Sequence, residues 1–329
     1  MNVIDFPLSL GFDQVGIMQE KNICKSRLDV DISSEFVRGV RIKVPLICSN
    51  MSSIIDSSFY RKIYDLGALA FLHRALSKED YIKETKEVAS HCNLVCVSVG
   101  VGDDQFELAK DLIDVGANIV VIDIANGYCD SAIELGKKIK KEFKEVKLVI
   151  GNTTNEQMLE EVDFADAVKI GIGSGLSCST KDTAGAHERQ FSAVMKFKKR
   201  AEELGQKLIS DGGVRAPSDY VKSIAAGGNS CFAGSIFARC PESASEETII
   251  DGVRKKIYYG MSSRKNQQAW FGGLRKGICA EGKVVYLDIG EPVANLIERY
   301  SGALRSGITY AGANDIKTFH ERVRFVRFV

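Results

Sequence analysis

Apolar residues fall along this chain in short continuous runs, separated by longer stretches with charged faces. The runs are VPLICSN (44–50), GALAFLHR (67–74), NLVCVSVG (93–100), NIVVIDIA (118–125), VKLVIGN (146–152), DAVKIGIG (166–173), KLISDGG (207–213) and SCFAGSI (230–236). Continuous rather than alternating hydrophobicity is what strands buried on both faces require, so eight such runs predict a closed parallel sheet. KEDYIKETKEVASH (78–91), DDQFELAKDLIDVGA (103–117) and FSAVMKFKKRAEELGQ (191–206) carry helical spacing between them. Right-handed crossovers then build an α/β (β/α)8 TIM barrel, with an open doubly wound sheet as the alternative.

Polar residues and glycines gather at the C-terminal ends of the predicted strands. They are Ser49-Asn50, His73-Arg74, Asp123 to Tyr128, Asn152, Gly171 to Cys178, Asp211 to Gly213 and Gly234-Ser235. In a barrel these ends form one rim, the usual seat of catalytic loops. After the eighth run, residues 258–290 are too long for a simple connection and are expected to cover that rim. No internal repeat or linker interrupts the pattern, so residues 1–329 are expected to form a single barrel domain with no inserted regulatory domain.

Charge narrows the choice of partners. Lys plus Arg (44) nearly equals Asp plus Glu (43), which leaves no global basic field to attract nucleic acid or an anionic membrane. A small phosphate ligand stays open, because glycine loops and helix N-termini bind phosphate without net positive charge. No signal peptide or apolar membrane span is expected. The nine cysteines occur singly, without CxxC pairs or a His/Cys ligand cluster, which argues against zinc and a disulfide framework and suits the reducing cytoplasm.

Three glycine elements carry candidate chemistry. GIGSG (171–175) alone is compatible with tight turns. SDGG and FAGS follow the seventh and eighth strands, where barrels often bind phosphate through backbone N–H groups, here those of Gly212, Gly213, Gly234 and Ser235. Asp211 repels phosphate, but its carboxylate suits ribose hydroxyls. Cys178 lies on a polar rim loop instead of inside a strand; it is either a small filler or a nucleophile for an electron-poor carbon, with Thr180 to relay a proton. Asp123 could orient a ligand or cap the next helix. The four histidines show no ligand spacing.

Taken together, LSLGFDQV, CKSRLDV, IDIANGY, VKIGIGSGLSCST, SDGG, YYGMSS, AEGKVV and GALRSGITYAGA run through nearly the whole chain and resemble the IMP dehydrogenase/GMP reductase family. The resemblance implies a (β/α)8 barrel, assembled as a homotetramer, in which the loop cysteine attacks C2 of a purine nucleotide. IDIANGY and CKSR resemble the reductase branch, which removes the 2-amino group of GMP with NADPH to yield IMP and ammonia. The short segment between Ser263 and Glu281 has no Arg-Tyr pair, which the dehydrogenase branch uses to hydrolyse its covalent intermediate. By this resemblance Cys178, Thr180 and Glu281 are catalytic, and Met51, Asp211, Gly212, Gly213, Gly234, Ser235, Gly260, Met261 and Ser262 bind the nucleotide. Ser26, Arg27, Arg74, Asp123, Ile124, Ala125, Ser306, Gly307, Ile308 and Thr309 match cofactor positions. The backbone carbonyls of Gly173, Gly175 and Cys178 match a potassium loop.

Several positions depart from the family pattern. Leu176 replaces a serine expected at the phosphate, Gly277-Ile278 replace Tyr-Arg, and His187 stands in a Gly-Val-Gly element. Arg275 or Lys276 would be the cation shifted from the missing arginine. These departures motivate two alternatives, a reductase acting on a different or modified purine nucleotide and a catalytically silent nucleotide-binding homologue. IMP dehydrogenase activity is a further option.

Overall fold

The computed structural model describes residues 8–274 and 276–328. Every apolar run becomes a parallel strand of one sheet: β1 Leu46–Cys48, β2 Leu69–Ala70, β3 Cys96–Val99, β4 Ile119–Asp123, β5 Lys147–Thr153, β6 Ala167–Ile170, β7 Lys207–Asp211 and β8 Ser230–Ala233. β8 returns to β1 with Cys231 opposite Leu46. Between β2 and β3 the ladder narrows to one parallel bridge, Leu72 to Val97, which closes the barrel and rules out the open sheet. Every position of β3, β6 and β8 is buried, which is why these runs read as continuously apolar.

Helices α1 Ser57–Asp65, α2 Lys78–Ala89, α3 Gln105–Asp114, α4 Asp130–Glu142, α5 Met158–Glu161, α6 Gln190–Leu204 and α7 Pro217–Ala225 fill the crossovers, and α8 Val293–Tyr310 packs on α7. Local chemistry sets their ends. Asp56 and Ser77 accept the backbone N–H of Phe59 and Asp80 and so start α1 and α2, while Gly205 stops α6 in a left-handed conformation. The connections from β1 to α1 and from β2 to α2 run directly from strand to helix within ten residues. At the opposite end from the rim, Arg38 of the hairpin Ser34–Val37/Val40–Ile42 hydrogen-bonds the carbonyls of Asp163, Leu204 and Gly205.

The segment expected to cover the rim is more ordered than a loop. β9 Glu247–Ile250, β10 Val253–Tyr259 and β11 Val284–Asp288 form an antiparallel sheet, with Tyr259 opposite Val284. A helix, Arg264–Phe271, lies between β10 and β11 and is started by Ser263, which accepts the Asn266 N–H. This sheet anchors both ends of the cover, so the residues just beyond β10 and just before β11 meet the rim in a fixed register. Among the described residues, no helix is long and apolar enough to cross a membrane.

Candidate active site

The loop after β6 carries the thiol, and the cover carries its carboxylate. Ser179 N–H donates to the Glu281 carbonyl at 2.9 Å, Lys283 N–H to the Ser177 carbonyl at 2.9 Å, and Glu281 N–H to the Ser262 carbonyl at 3.2 Å. These backbone bonds stitch three segments distant in sequence: the thiol loop, the turn after β10 and the strand entering β11. As a result the Cys178 thiol donates to Thr180 Oγ1 at 3.2 Å, and the Thr180 hydroxyl donates to Glu281 Oε2 at 2.7 Å. Thr180 is buried, whereas Cys178 and Glu281 are half-buried and line the same cavity. A thiol, hydroxyl and carboxylate in series can move a proton over two short hops without bulk water.

Beneath this chain lies a buried charge cluster. Lys169, in the middle of β6, is 3% exposed and places its ammonium 2.9 Å from Asp123 Oδ1 and 2.5 Å from Asp211 Oδ2. Asn50 donates to Asp123 Oδ2 and Asn152 to Asp211 Oδ2, each at 2.8 Å. Burial by itself raises the Asp123 pKa, but the charge and hydrogen bond of Lys169, with Asn50 and Arg74, outweigh it and hold the carboxyl below its ordinary value. For Lys169 burial opposes the charge, and the two carboxylates prevail and raise its pKa. Four barrel strands and the end of β1 thereby fix two carboxylates at the cavity floor. Asp123 therefore faces a ligand cavity and does not serve as a helix cap; no side-chain cap starts α4.

Every residue expected to hold the nucleotide lines this one cavity of about 220 Å³: Met51, Asp211, Gly212, Gly213, Gly234, Ser235, Gly260, Met261 and Ser262. Gly212 is required twice over, by its φ of +92° and because a Cβ there would stand 2.4 Å from Ser174 Oγ. A Cβ on Gly234 would lie 2.5 Å from Tyr258 Oη and 3.3 Å from Met51 Sδ. Tyr258 itself is buried with its hydroxyl 3.6 Å from Met51 Sδ. Burial pushes its phenol up to about 12, with a hydrogen bond from Ser177 partly opposing the shift.

The cofactor set divides in two. Arg74, Asp123, Ile124 and Ala125 line the cavity beside Cys178. Ser26 and Arg27 do not; they lie against α8, where the Arg27 guanidinium stands 6.0 Å from the Tyr310 ring centroid. Within this chain Ile308 and Thr309 are buried on α8, and Gly307 lets α8 approach α7, since its Cβ would fall 2.2 Å from Val221 Cγ1. Ser306 is half-buried. In the potassium loop the Gly175 carbonyl accepts the Cys178 N–H at 3.1 Å. Among the described residues no donor reaches the carbonyls of Gly173 or Cys178. No group of three or more His, Cys, Asp or Glu among the described residues could hold a metal, so a cation here would depend on neutral carbonyls.

The departures take distinct places. Leu176 lines the cavity and packs partly against the core, with no polar atom on its side chain to offer a phosphate. His187 leans on the loop, its Nδ1 3.2 Å from the Ile172 carbonyl. Ile278 and Lys276 are exposed, and Arg275 lies outside the described residues. Lys169 and Tyr258 were not singled out by the sequence. The signal for Lys169 was a charged side chain inside an apolar barrel strand; Tyr258 follows from the cover's packing, which no local pattern announces.

Fold and site together define a β/α-barrel enzyme with a thiol at its rim. The model of the IMP dehydrogenase / GMP reductase domain matches residues 9–329, and the chain belongs to that family. It is 33% identical to the GMP reductase of Klebsiella pneumoniae subsp. pneumoniae, and 32% identical to those of Shigella boydii serotype 18 and Escherichia coli O81. Each alignment covers 98% of this chain and 96% of the relative. The crystal structure of a point variant of GMP reductase from Trypanosoma brucei in complex with guanosine 5′-monophosphate superposes with a TM-score of 0.94 over 98% of this chain and 96% of that one. At 22% identity that likeness establishes the TIM-barrel fold.

Proposed function

We propose that this protein is a GMP reductase, converting GMP to IMP and ammonia with NADPH. The observation that carries the reading is the Cys178–Thr180–Glu281 hydrogen-bonded chain in a cavity that is also lined by Gly212, Gly213, Gly234 and Ser235. The thiol proton passes through Thr180 to Glu281, and the thiolate adds to C2 of the purine. The proton returns by the same path to the 2-amino group, which leaves as ammonia and generates a Cys178 thioimidate. When bound, NADPH supplies the hydride that reduces C2. The Cys178–C2 bond then breaks to release IMP and the thiolate.

Asp211, the backbone N–H groups of Gly213, Gly234 and Ser235, and Gly260, Met261 and Ser262 hold ribose and phosphate, with Met51 near the base; Gly212, whose N–H donates to the Phe232 carbonyl at 3.3 Å, shapes the turn without offering the phosphate a donor. Arg74, Asp123, Ile124 and Ala125 receive the nicotinamide half of the cofactor. Ser26, Arg27 and Ser306 are assigned to the cofactor's distal half; Ile308 and Thr309 are buried within this chain and Gly307 packs on α7, so these three shape α8 instead of touching the cofactor. The carbonyls of Gly173, Gly175 and Cys178 take potassium, a role supported by the two that accept no hydrogen bond from the described residues. Residues 1–329 act as one barrel domain without a regulatory insertion, in a homotetramer in the cytoplasm. Short strand-to-helix connections after β1 and β2 favour that domain reading.

Purified protein given GMP, NADPH and potassium under reducing conditions should lose the absorbance of the reduced nicotinamide and release IMP and ammonia. Cys178→Ala should abolish turnover while GMP still binds, and Thr180→Val should lower kcat about 10²- to 10⁴-fold, the range for a lost proton-transfer group. No oxidation of NADPH by the wild type with GMP rejects the reading. Leu176 favours one second reading, in which a different or modified purine nucleotide is the better substrate. A panel of purine nucleotides in the same assay decides between them.

A further inference from the structure

The cover helix Arg264–Phe271 docks on the barrel through an amide. Among its described side chains Asn266 alone is fully buried, at 0% exposed, amid arginine, lysine and glutamine. Burying an amide is costly unless both of its ends are hydrogen-bonded. Here both are. Asn266 Nδ2 donates to the Met261 carbonyl at 3.0 Å, and Asn266 Oδ1 accepts the Ser52 hydroxyl at 2.6 Å. A carbonyl only accepts, which fixes the orientation of the amide and makes the Ser52 hydroxyl the donor. Ser52 lies on the rim loop after β1, beside Met51, and is 214 positions from Asn266 in the chain.

The turn that Asn266 grips also carries Glu281. The Ser263 hydroxyl accepts the Asn266 N–H at 3.2 Å, and Glu281 N–H donates to the Ser262 carbonyl. Gly282 bridges Ser263 so closely that a Cβ on it would stand 2.9 Å from the Ser263 nitrogen. Gln267 Nε2 also donates to the Met261 carbonyl, at 3.1 Å, so the turn keeps a second support without Asn266. Ser53 separately ties β10 to the rim, donating to the Tyr259 carbonyl at 2.7 Å and accepting its N–H at 3.2 Å. Among the described residues, Ser52 to Asn266 is the one side-chain hydrogen bond from this helix to the barrel rim. Its loss would free the helix and the turn that holds Glu281, while the cover sheet stays anchored.

We infer that Asn266 is a positioning residue, latching the cover to the Ser52 loop so that Glu281 is held against Thr180. The inference rests on the GMP reductase reading. Steady-state kinetics with GMP and NADPH test it, on Asn266→Ala, Ser52→Ala and Ser52→Thr, and on Asn266→Ala in a Glu281→Gln background. Asn266→Ala and Ser52→Ala should each lower kcat about tenfold, with KM for GMP within about threefold because Gln267 still supports the turn. Ser52→Thr keeps the hydroxyl and should retain most of the wild-type kcat. In the Glu281→Gln background Asn266→Ala should cost no further kcat, since the group it positions is already lost. A loss of equal size in that background, or a wild-type kcat in either alanine variant, overturns the latch. A wild type that does not turn over GMP removes the reductase reading alone, and tryptic cleavage of the folded protein then decides the latch. Faster cleavage within residues 264–283 in both alanine variants than in the wild type and Ser52→Thr supports it; equal rates overturn it.

Discussion

Replacing Lys169 by methionine keeps the length of the side chain and deletes its charge, beneath a site whose two carboxylates both depend on it. Asp123 and Asp211 are 19% and 20% exposed and share one ammonium that is 3% exposed. Removing one partner of a buried ion pair costs about 3–5 kcal/mol. Asn50 and Asn152 still hydrogen-bond the carboxylates, so we expect the lower end, a loss of roughly 3 kcal/mol in unfolding free energy at about pH 7. Urea denaturation followed by circular dichroism reads that loss.

The sign with pH is also set by the geometry. In the wild type the Asp123 pKa is lowered, so its contribution is present above the unfolded value and is lost as pH falls through the folded one. Without Lys169, burial is no longer outweighed and raises the Asp123 pKa above the unfolded value, and the stability of the variant falls as pH rises. The gap between the two proteins should therefore widen from about pH 4 to about pH 7. Asp123→Asn in the Lys169→Met background removes one uncompensated charge and should recover at least part of the loss. An unchanged urea midpoint in Lys169→Met, or a gap that narrows toward neutral pH, refutes the account.

Gly234→Ala places a Cβ 2.5 Å from Tyr258 Oη; its KM for GMP should rise about tenfold, with overpacking costing about 1–3 kcal/mol, and Tyr258→Phe should restore it by deleting the clashing oxygen. Leu176→Ser offers the phosphate a hydroxyl and should lower the KM for GMP about fivefold, one hydrogen bond at ~1 kcal/mol; no change would mean that the side chain at 176 does not face the phosphate. Burial lowers the His73 pKa to about 4, so its contribution is full above the unfolded value of about 6.5 and disappears as pH falls toward 4, roughly 3 kcal/mol in all. His73→Gln should flatten the denaturation midpoint over that window, and an unaltered pH profile would refute the assignment.

Much of the fold was legible because a barrel strand buried on both faces must be apolar at nearly every position. VPLICSN and SCFAGSI stand far apart in the sequence and pair as β1 and β8. The cover was legible as a segment too long for a turn, but its antiparallel sheet was not, because β9 and β11 alternate mostly between exposed and half-buried positions, and their sequences ETII and VVYLD do not alternate apolar with polar residues to match. Cys178 and Thr180 lie two positions apart and could be paired on sight. Their link to Glu281 spans 101 residues and depends on backbone bonds that no local pattern records.

What the sequence determined by itself was the set of parts: eight strands, a rim of polar ends, a thiol beside a hydroxyl, and glycine turns at the strand ends. These follow from local chemistry, since burial dictates hydrophobic period and turns dictate glycine. Tertiary structure alone decided which parts meet. It set Lys169 between two carboxylates from other strands, brought Glu281 onto the thiol loop, kept Ser26 and Arg27 away from the cavity, and joined Ser52 to Asn266. The physical reason is that charge pairing and cavity shape depend on distance in space, and closure of the barrel sets those distances among residues that sequence separation keeps unrelated.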